Sequence, residues 1–242
     1  MNNISNERNI NYENFFNLAR EIGILINKNI SVKEISKDNY GIFANDNIEL
    51  DALLINFPRK FFISKQIFKN FILKNKTDYP NLEFLNYYFS SLPSLEFFKK
   101  NSIFFISQHQ KEKILSLFIN QSPTRRSIIK LFEDFNKLDE VDKYVNLIFR
   151  SRAFNYGNET FLIPIMDMIN YKYGTSKVIL YKDNFQFKNK NFLKINEEFF
   201  QGYSNISNIV TFFLNYSFIP ENFSTITLPE NFFSLNVPQN LN

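Results

Sequence analysis

The feature that most limits what this chain can fold into is a hydrophobic period that changes twice along its length. After Gly23, the stretches ISVKEISKDNYGIFAND and IELDALLINFPRKFFIS alternate apolar and polar residues. That is the two-residue period of a strand with one buried face. Turn signals interrupt the alternation at Asp38-Asn39, at Asn45-Asp46-Asn47 and at Pro58. From Ser64 to Phe149 the period lengthens. KEKILSLFINQ, RRSIIKLFEDFNKL and VDKYVNLIF carry apolar residues three and four apart, and in the last Val141, Tyr144, Val145 and Ile148 form one stripe. Past Arg150 the strand-like pattern returns in NETFLIPIMDM, SKVILYKDNFQF, NFLKINEEFFQGY and STITLP, with one short helical stretch, IVTFFLNYSF, among them. A helix-period pattern does not settle as a strand, nor the reverse. The expectation is therefore an α+β chain, a β-rich body of small sheets split by a helical block. Ahead of Gly23, Asn11 is placed to cap a first helix in which Phe15, Leu18, Ala19 and Ile22 recur at helical spacing. The tail VPQNLN reads as frayed.

Composition narrows the chemistry more than the fold. With 31 Phe and no Trp, phenylalanine does most of the packing. The absence of cysteine removes disulfides, thiolate nucleophiles and cysteine-ligated zinc together. The single histidine, His109, lies in the polar stretch SQHQKEK and reads as surface. A His-based metal site or a Ser-His-Asp triad thus has almost no material to draw on, and no metal is expected. Lys and Arg exceed Asp and Glu by 28 − 24 = 4. The positive charges are scattered, and the runs KNKTD and KNKNF are short, so the charge does not argue for a nucleic-acid partner. The start, MNNISNERNINYENFF, lacks the layout of a signal peptide, and no apolar run approaches the ~20 residues of a membrane span. A soluble cytoplasmic protein without a membrane partner is the expectation.

One stretch poses a physical question. Residues 161–171 read FLIPIMDMINY, an apolar run that ends in an acid and an amide, Asp167 and Asn170. Burying either costs free energy unless something hydrogen-bonds to it. The two side chains either stitch the backbone together or hold a ligand.

Four stretches in fixed order bear on that choice: NYGIFANDNIELDALLINFPRKFFIS at 39–64, RSRAF at 150–154, FLIPIMDMINY at 161–171 and LKINEEFFQGYSNISNIVTFFLNYSF at 193–218. Separately each is modest. In this order, with a helical block between the first two, they resemble the SET-domain protein methyltransferases, and more narrowly the group of the Rubisco large-subunit lysine methyltransferase, whose SET domain carries a helical insertion. The resemblance covers about residues 13–228. It implies an α+β fold of small sheets with a C-terminal pseudoknot, split by an all-helical insertion. It divides the chain into 1–64 (first helix and first part of the SET domain), 65–140 (insertion), 141–228 (second part, with the cofactor and catalytic motifs) and a tail at 229–242. It also implies that the larger relatives' C-terminal substrate-gripping domain is lacking here.

The function implied is protein-lysine N-methylation, with S-adenosylmethionine (SAM) as cofactor and a protein carrying an accessible lysine as partner. Methylation of another side chain such as histidine is the alternative within enzymes, and a degenerate SET domain that binds peptide is the alternative outside them. Matched position by position, Asp38, Tyr40, Gly41, Arg152, Asp167, Met168, Asn170, Tyr171 and Phe218 fall on cofactor-binding positions. Gly41 would let the backbone run close to the cofactor. Arg152 would meet the cofactor carboxylate, and Asn170 its amino-acid end. Asp167 would order the surrounding loop. Phe154 and Tyr216 match the walls of the lysine channel, where ring faces can hold an amine. Tyr203 matches the catalytic tyrosine. With an unperturbed pKa near ~10 it is a poor general base at neutral pH, so its role would be orientation and electrostatics. The chain departs from the family pattern at Asn39 (usually glycine), at Tyr171 (usually histidine), and at Ser204 and Ser217 beside the two tyrosines. Asn39 tolerates left-handed backbone angles better than most residues.

Overall fold

A computed structural model describes residues 11–36, 39–116, 122–176, 179–181, 183–202 and 214. The described residues fall into two compact units, one of residues 11–92 and 152–202, the other of residues 93–151 with 214.

The first unit opens with α1 (Tyr12–Glu21), started by the Asn11 side chain, which accepts from Asn14 N at 3.0 Å. An acceptor there satisfies one of the orphan N–H groups of the first turn. α1 buries Phe15, Phe16 and Ala19. The alternating stretches then form β1 (Leu25–Ile26), β2 (Ile30–Ser36), β3 (Asn39–Ala44) and β4 (Leu53–Pro58). Ser64 caps α2 (Lys65–Ile72) and Asn81 caps α3 (Leu82–Ser91), each accepting from the backbone N–H three residues on. An aromatic core ties these pieces together. Phe84 of α3 lies 5.0 Å from Phe15, 6.4 Å from Phe57 and 6.3 Å from Phe61, ring centre to centre. Each such ring is fully or almost fully buried, worth about 1.5–3 kcal/mol in transfer free energy.

The second unit holds α4 (Leu95–Asn101), α5 (Gln108–Ser116), α6 (Ser122–Lys137) and α7 (Glu140–Arg152), whose last residue belongs to the first unit. Phe104 packs on Phe132 and Phe135 at 5.8 and 4.4 Å, and the Arg150 guanidinium sits 5.3 Å over the Phe104 ring. Tyr144, from the stripe of α7, donates to the Pro93 carbonyl at 2.8 Å. His109, on α5, is exposed. No helix among the described residues is long and apolar enough to cross a membrane.

After α7 the chain returns to the first unit with β5 (Phe154–Tyr156), β6 (Glu159–Phe161), β7 (Asn170–Ser176), β8 (Ile179–Tyr181), β9 (Asn184–Lys188) and β10 (Glu198–Gln201). They complete two four-stranded sheets, β1-β4-β9-β8 and β2-β3-β10-β7, and a β5-β6 ribbon. This is an α+β fold. β10 is the junction strand. It runs antiparallel to β3, pairing Phe199 with Ile42, and parallel to β7, pairing Phe200 with Asn170.

The expected strand NETFLIPIMDM is shorter than its pattern suggests. Only Glu159–Phe161 and a bridge from Leu162 to Ile63 are paired. Pro164 then removes a donor that a ladder needs, and Ile165 takes φ 72°, ψ −47° before a 3₁₀ turn at Met166–Met168. A β-branched residue at positive φ is a strained backbone conformation that the surroundings must impose, at about 1–3 kcal/mol. Here the surroundings are apolar and closed, since Ile163, Ile165 and Met166 have no exposed surface. The stretch STITLP and, apart from Leu214, the stretch IVTFFLNYSF lie outside the described residues.

Candidate active site

The parallel and antiparallel partners of β10 bring three distant stretches to one place. Gly41 on β3 faces Glu198 on β10 so closely that a Cβ at residue 41 would strike Glu198 Oε1; it would also stand 2.9 Å from Glu198 Cδ and 3.0 Å from Ile35 Cδ1. What stands closest to the glycine is thus a carboxylate of the protein itself. On the other side of β10, Asn170 Nδ2 donates to Glu198 Oε1 at 2.7 Å and to the Tyr40 carbonyl at 3.0 Å. The Tyr40 ring lies 4.9 Å from that of Tyr12. Burial pushes the Glu198 carboxyl above the usual carboxylate range, opposed by the Asn170 hydrogen bond and the charge of Lys172. Lys172 Nζ in turn sits 5.1 Å over the Phe200 ring. Beside Glu198 opens a cavity of about 310 Å³ whose lining includes Lys172, Phe187, Leu193 and Phe200.

Three residues before Asn170, a second cluster closes on Asp167. Its side chain has no exposed surface. Tyr88, from α3, donates to Oδ2 at 2.7 Å. Arg152 Nη1 donates to the Asp167 carbonyl at 3.1 Å and to Oδ2 at 3.4 Å. Burial raises the Asp167 carboxyl, and the Arg152 charge with the two hydrogen bonds pulls it back down. Tyr88 is pushed well above the ordinary tyrosine value by burial and then by the Asp167 charge. Oδ1 of Asp167 is buried without a hydrogen-bond partner among the described residues. Gln201, 3% exposed, joins the two clusters by donating Nε2 to the carbonyls of Met166 and Ile169 at 3.3 and 3.2 Å.

The expected site residues divide accordingly. Tyr40, Gly41, Asn170 and the backbone of Tyr171 lie along β3 and β7, while Arg152, Asp167 and the half-buried Met168 belong to the second cluster. Phe154, on β5, packs its ring 5.8 Å from that of Phe185 on β9. Asp38, Tyr203, Tyr216 and Phe218 lie outside the described residues. Two residues were missed. Tyr88 carries no local signal, since its position in LEFLNYYFSS fits an ordinary core aromatic. Glu198 sits in a Glu-Glu pair that reads as the polar approach to a strand; its contact with a glycine in a motif is the signal that would have found it. Among the described residues no group of three or more His, Asp or Glu is placed to hold a metal ion.

No family model and no curated protein matches the chain. Solved structures do. The SET domain of LSMT bound to lysine and AdoHcy matches at TM-score 0.58 and 17% identity, over 87% of this chain and 57% of that one. Rubisco LSMT bound to sinefungin and monomethyllysine matches at TM-score 0.64 and 17% identity, over 87% and 56%. Rubisco LSMT bound to AdoMet matches at TM-score 0.57 and 17% identity, over 87% and 57%. The chain therefore has the SET-domain fold, and it spans a little over half the length of the chains it matches.

Proposed function

We propose that the chain is a SAM-dependent protein-lysine N-methyltransferase. The observation that carries this reading is the match in fold to SET domains whose structures hold AdoMet, AdoHcy and lysine. The junction around β10 supports it with suitable chemistry. A cofactor with an ammonium and a carboxylate needs acceptors for one and a cation for the other. Asn170 and Glu198 offer acceptors on adjacent strands, and the Arg152 side chain, 25% exposed, offers the cation. When bound, SAM supplies a methyl group on a sulfonium, which leaves as a thioether when a neutral amine attacks.

That transfer asks the protein for alignment and exclusion of water rather than for a nucleophile. Tyr40, Gly41, Asp167, Met168, Asn170 and Tyr171 would frame the cofactor, with Asp38 and Phe218. Tyr203 would orient the amine, and Phe154 and Tyr216 would line its channel. The lysine ammonium loses its proton to water on entering an apolar channel, because desolvation disfavours the charged form. The helical residues 65–140 would serve as the insertion that selects the protein substrate. Incubating the purified chain with labelled SAM and cell extract tests the reading. Label on a protein band is expected, with Tyr203→Phe lowering transfer about 100-fold and mass spectrometry placing the methyl group on lysine. No transfer to any protein would remove the reading, and a methylated histidine would redirect it.

A further inference from the structure

The amide of Asn170 has two hydrogens, and both are committed: one to the Tyr40 carbonyl and one to Glu198 Oε1. An ionised carboxylate and a carbonyl only accept, so turning the amide over would set Oδ1 against two oxygens. The network fixes the orientation, and Oδ1 accepts no hydrogen bond among the described residues. Glu198 reaches the amide across residue 41, its Oε1 standing so near that a Cβ there would strike it. The three residues interlock: Gly41 leaves the space, Glu198 fills it, and Asn170 is turned by what fills it. None of this is visible in the motifs taken one at a time, because the glycine, the amide and the carboxylate lie on three different strands.

We infer that Glu198 is a positioning residue for the site: it holds the Asn170 amide so that only Oδ1 remains to bind, which suits the junction to a cationic N–H donor such as the ammonium of an amino-acid group. This rests on the methyltransferase reading, where that donor is the ammonium of SAM. A cation arriving there also meets the half-buried carboxylate of Glu198, whose negative charge burial makes costly, a cost that the Asn170 hydrogen bond and Lys172 partly offset. The acceptor pair and the charge favour the same ligand.

Calorimetric titration of SAM, with steady-state kinetics, tests the inference on the Glu198→Ala and Glu198→Gln variants. Glu198→Ala is expected to weaken SAM binding and raise KM for SAM about tenfold or more, as loss of a hydrogen bond to a charged group implies, while kcat changes less than about threefold. Glu198→Gln keeps an acceptor for the Asn170 amide and is expected to recover most of that loss. Glu198→Ala with SAM affinity like that of the unmodified chain overturns the role and leaves the methyltransferase reading standing. No SAM binding by the unmodified chain removes both. A second measurement does not depend on ligand. Gly41→Ala should lower the urea midpoint, and Gly41→Ala combined with Glu198→Ala should recover part of that loss, because the two changes share one space. Strictly additive effects would contradict the interlock.

Discussion

Asp167 and Asn170 are three residues apart, and the protein treats them in opposite ways. The acid is closed in: its side chain is fully buried, and Oδ2 is held by Tyr88 and Arg152. The amide is half open: its donors are held by Tyr40 and Glu198, and its oxygen has no partner among the described residues. Whether such a segment stitches the fold or holds a ligand therefore has two answers, one for each side chain. Among the described residues each side chain keeps one oxygen without a partner, but that of Asp167 is buried away from any ligand, whereas that of Asn170 belongs to a half-buried amide. The contrast sorts residues into those whose loss should unfold the protein and those whose loss should spare the fold and weaken a ligand.

The largest expected effect is on the closed side. Asp167→Ala leaves the buried Tyr88 hydroxyl without its acceptor and the Arg152 charge without its carboxylate. Breaking such a pair costs about 3 kcal/mol or more, readable as a drop in the urea midpoint. A loss below about 1 kcal/mol would mean that Asp167 is not the closed partner the geometry indicates. Tyr88→Phe should cost less, about 1.5–3 kcal/mol, without changing affinity for SAM. An affinity change at Tyr88 comparable to that at Asn170 would erase the distinction between the two clusters.

The smallest effect is a slope with pH. Burial raises the folded-state pKa of Asp167 above its unfolded value near ~4, so the folded state binds more protons in that window. Stability contributed by this group is present at the acid end and is lost as pH rises from about 4 through the raised value. The groups facing it are Arg152 and Tyr88, which limit the shift. Asp167→Asn should therefore flatten the stability–pH curve relative to the unmodified chain across that window. A difference curve without slope there would show the carboxyl to titrate as if exposed.

Much of the framework was legible in the residues. Asn11 announces its helix because a capping side chain acts within three residues of itself, and the strand and helix periods follow from burying one face. The strain at Ile165 was not legible, since nothing in an isoleucine announces positive φ; the packing that encloses it decides. Nor was Tyr88, whose hydroxyl meets a carboxylate 79 residues away. The close approach at Gly41 was legible, but not the side chain that makes it. A motif glycine says that something comes close, and here what comes close is Glu198, a residue that local patterning assigns to the edge of a turn. Long-range polar contacts of this kind depend on which strands become neighbours, and the hydrophobic period does not encode that.

The most direct measurement is calorimetric titration of SAM into the unmodified chain and into Asn170→Ala and Tyr88→Phe. Binding by the unmodified chain, at least tenfold weaker in Asn170→Ala and unchanged in a folded Tyr88→Phe, is the expected result. No binding at all, or binding indifferent to residue 170, would contradict the assignment of this junction as the cofactor's place.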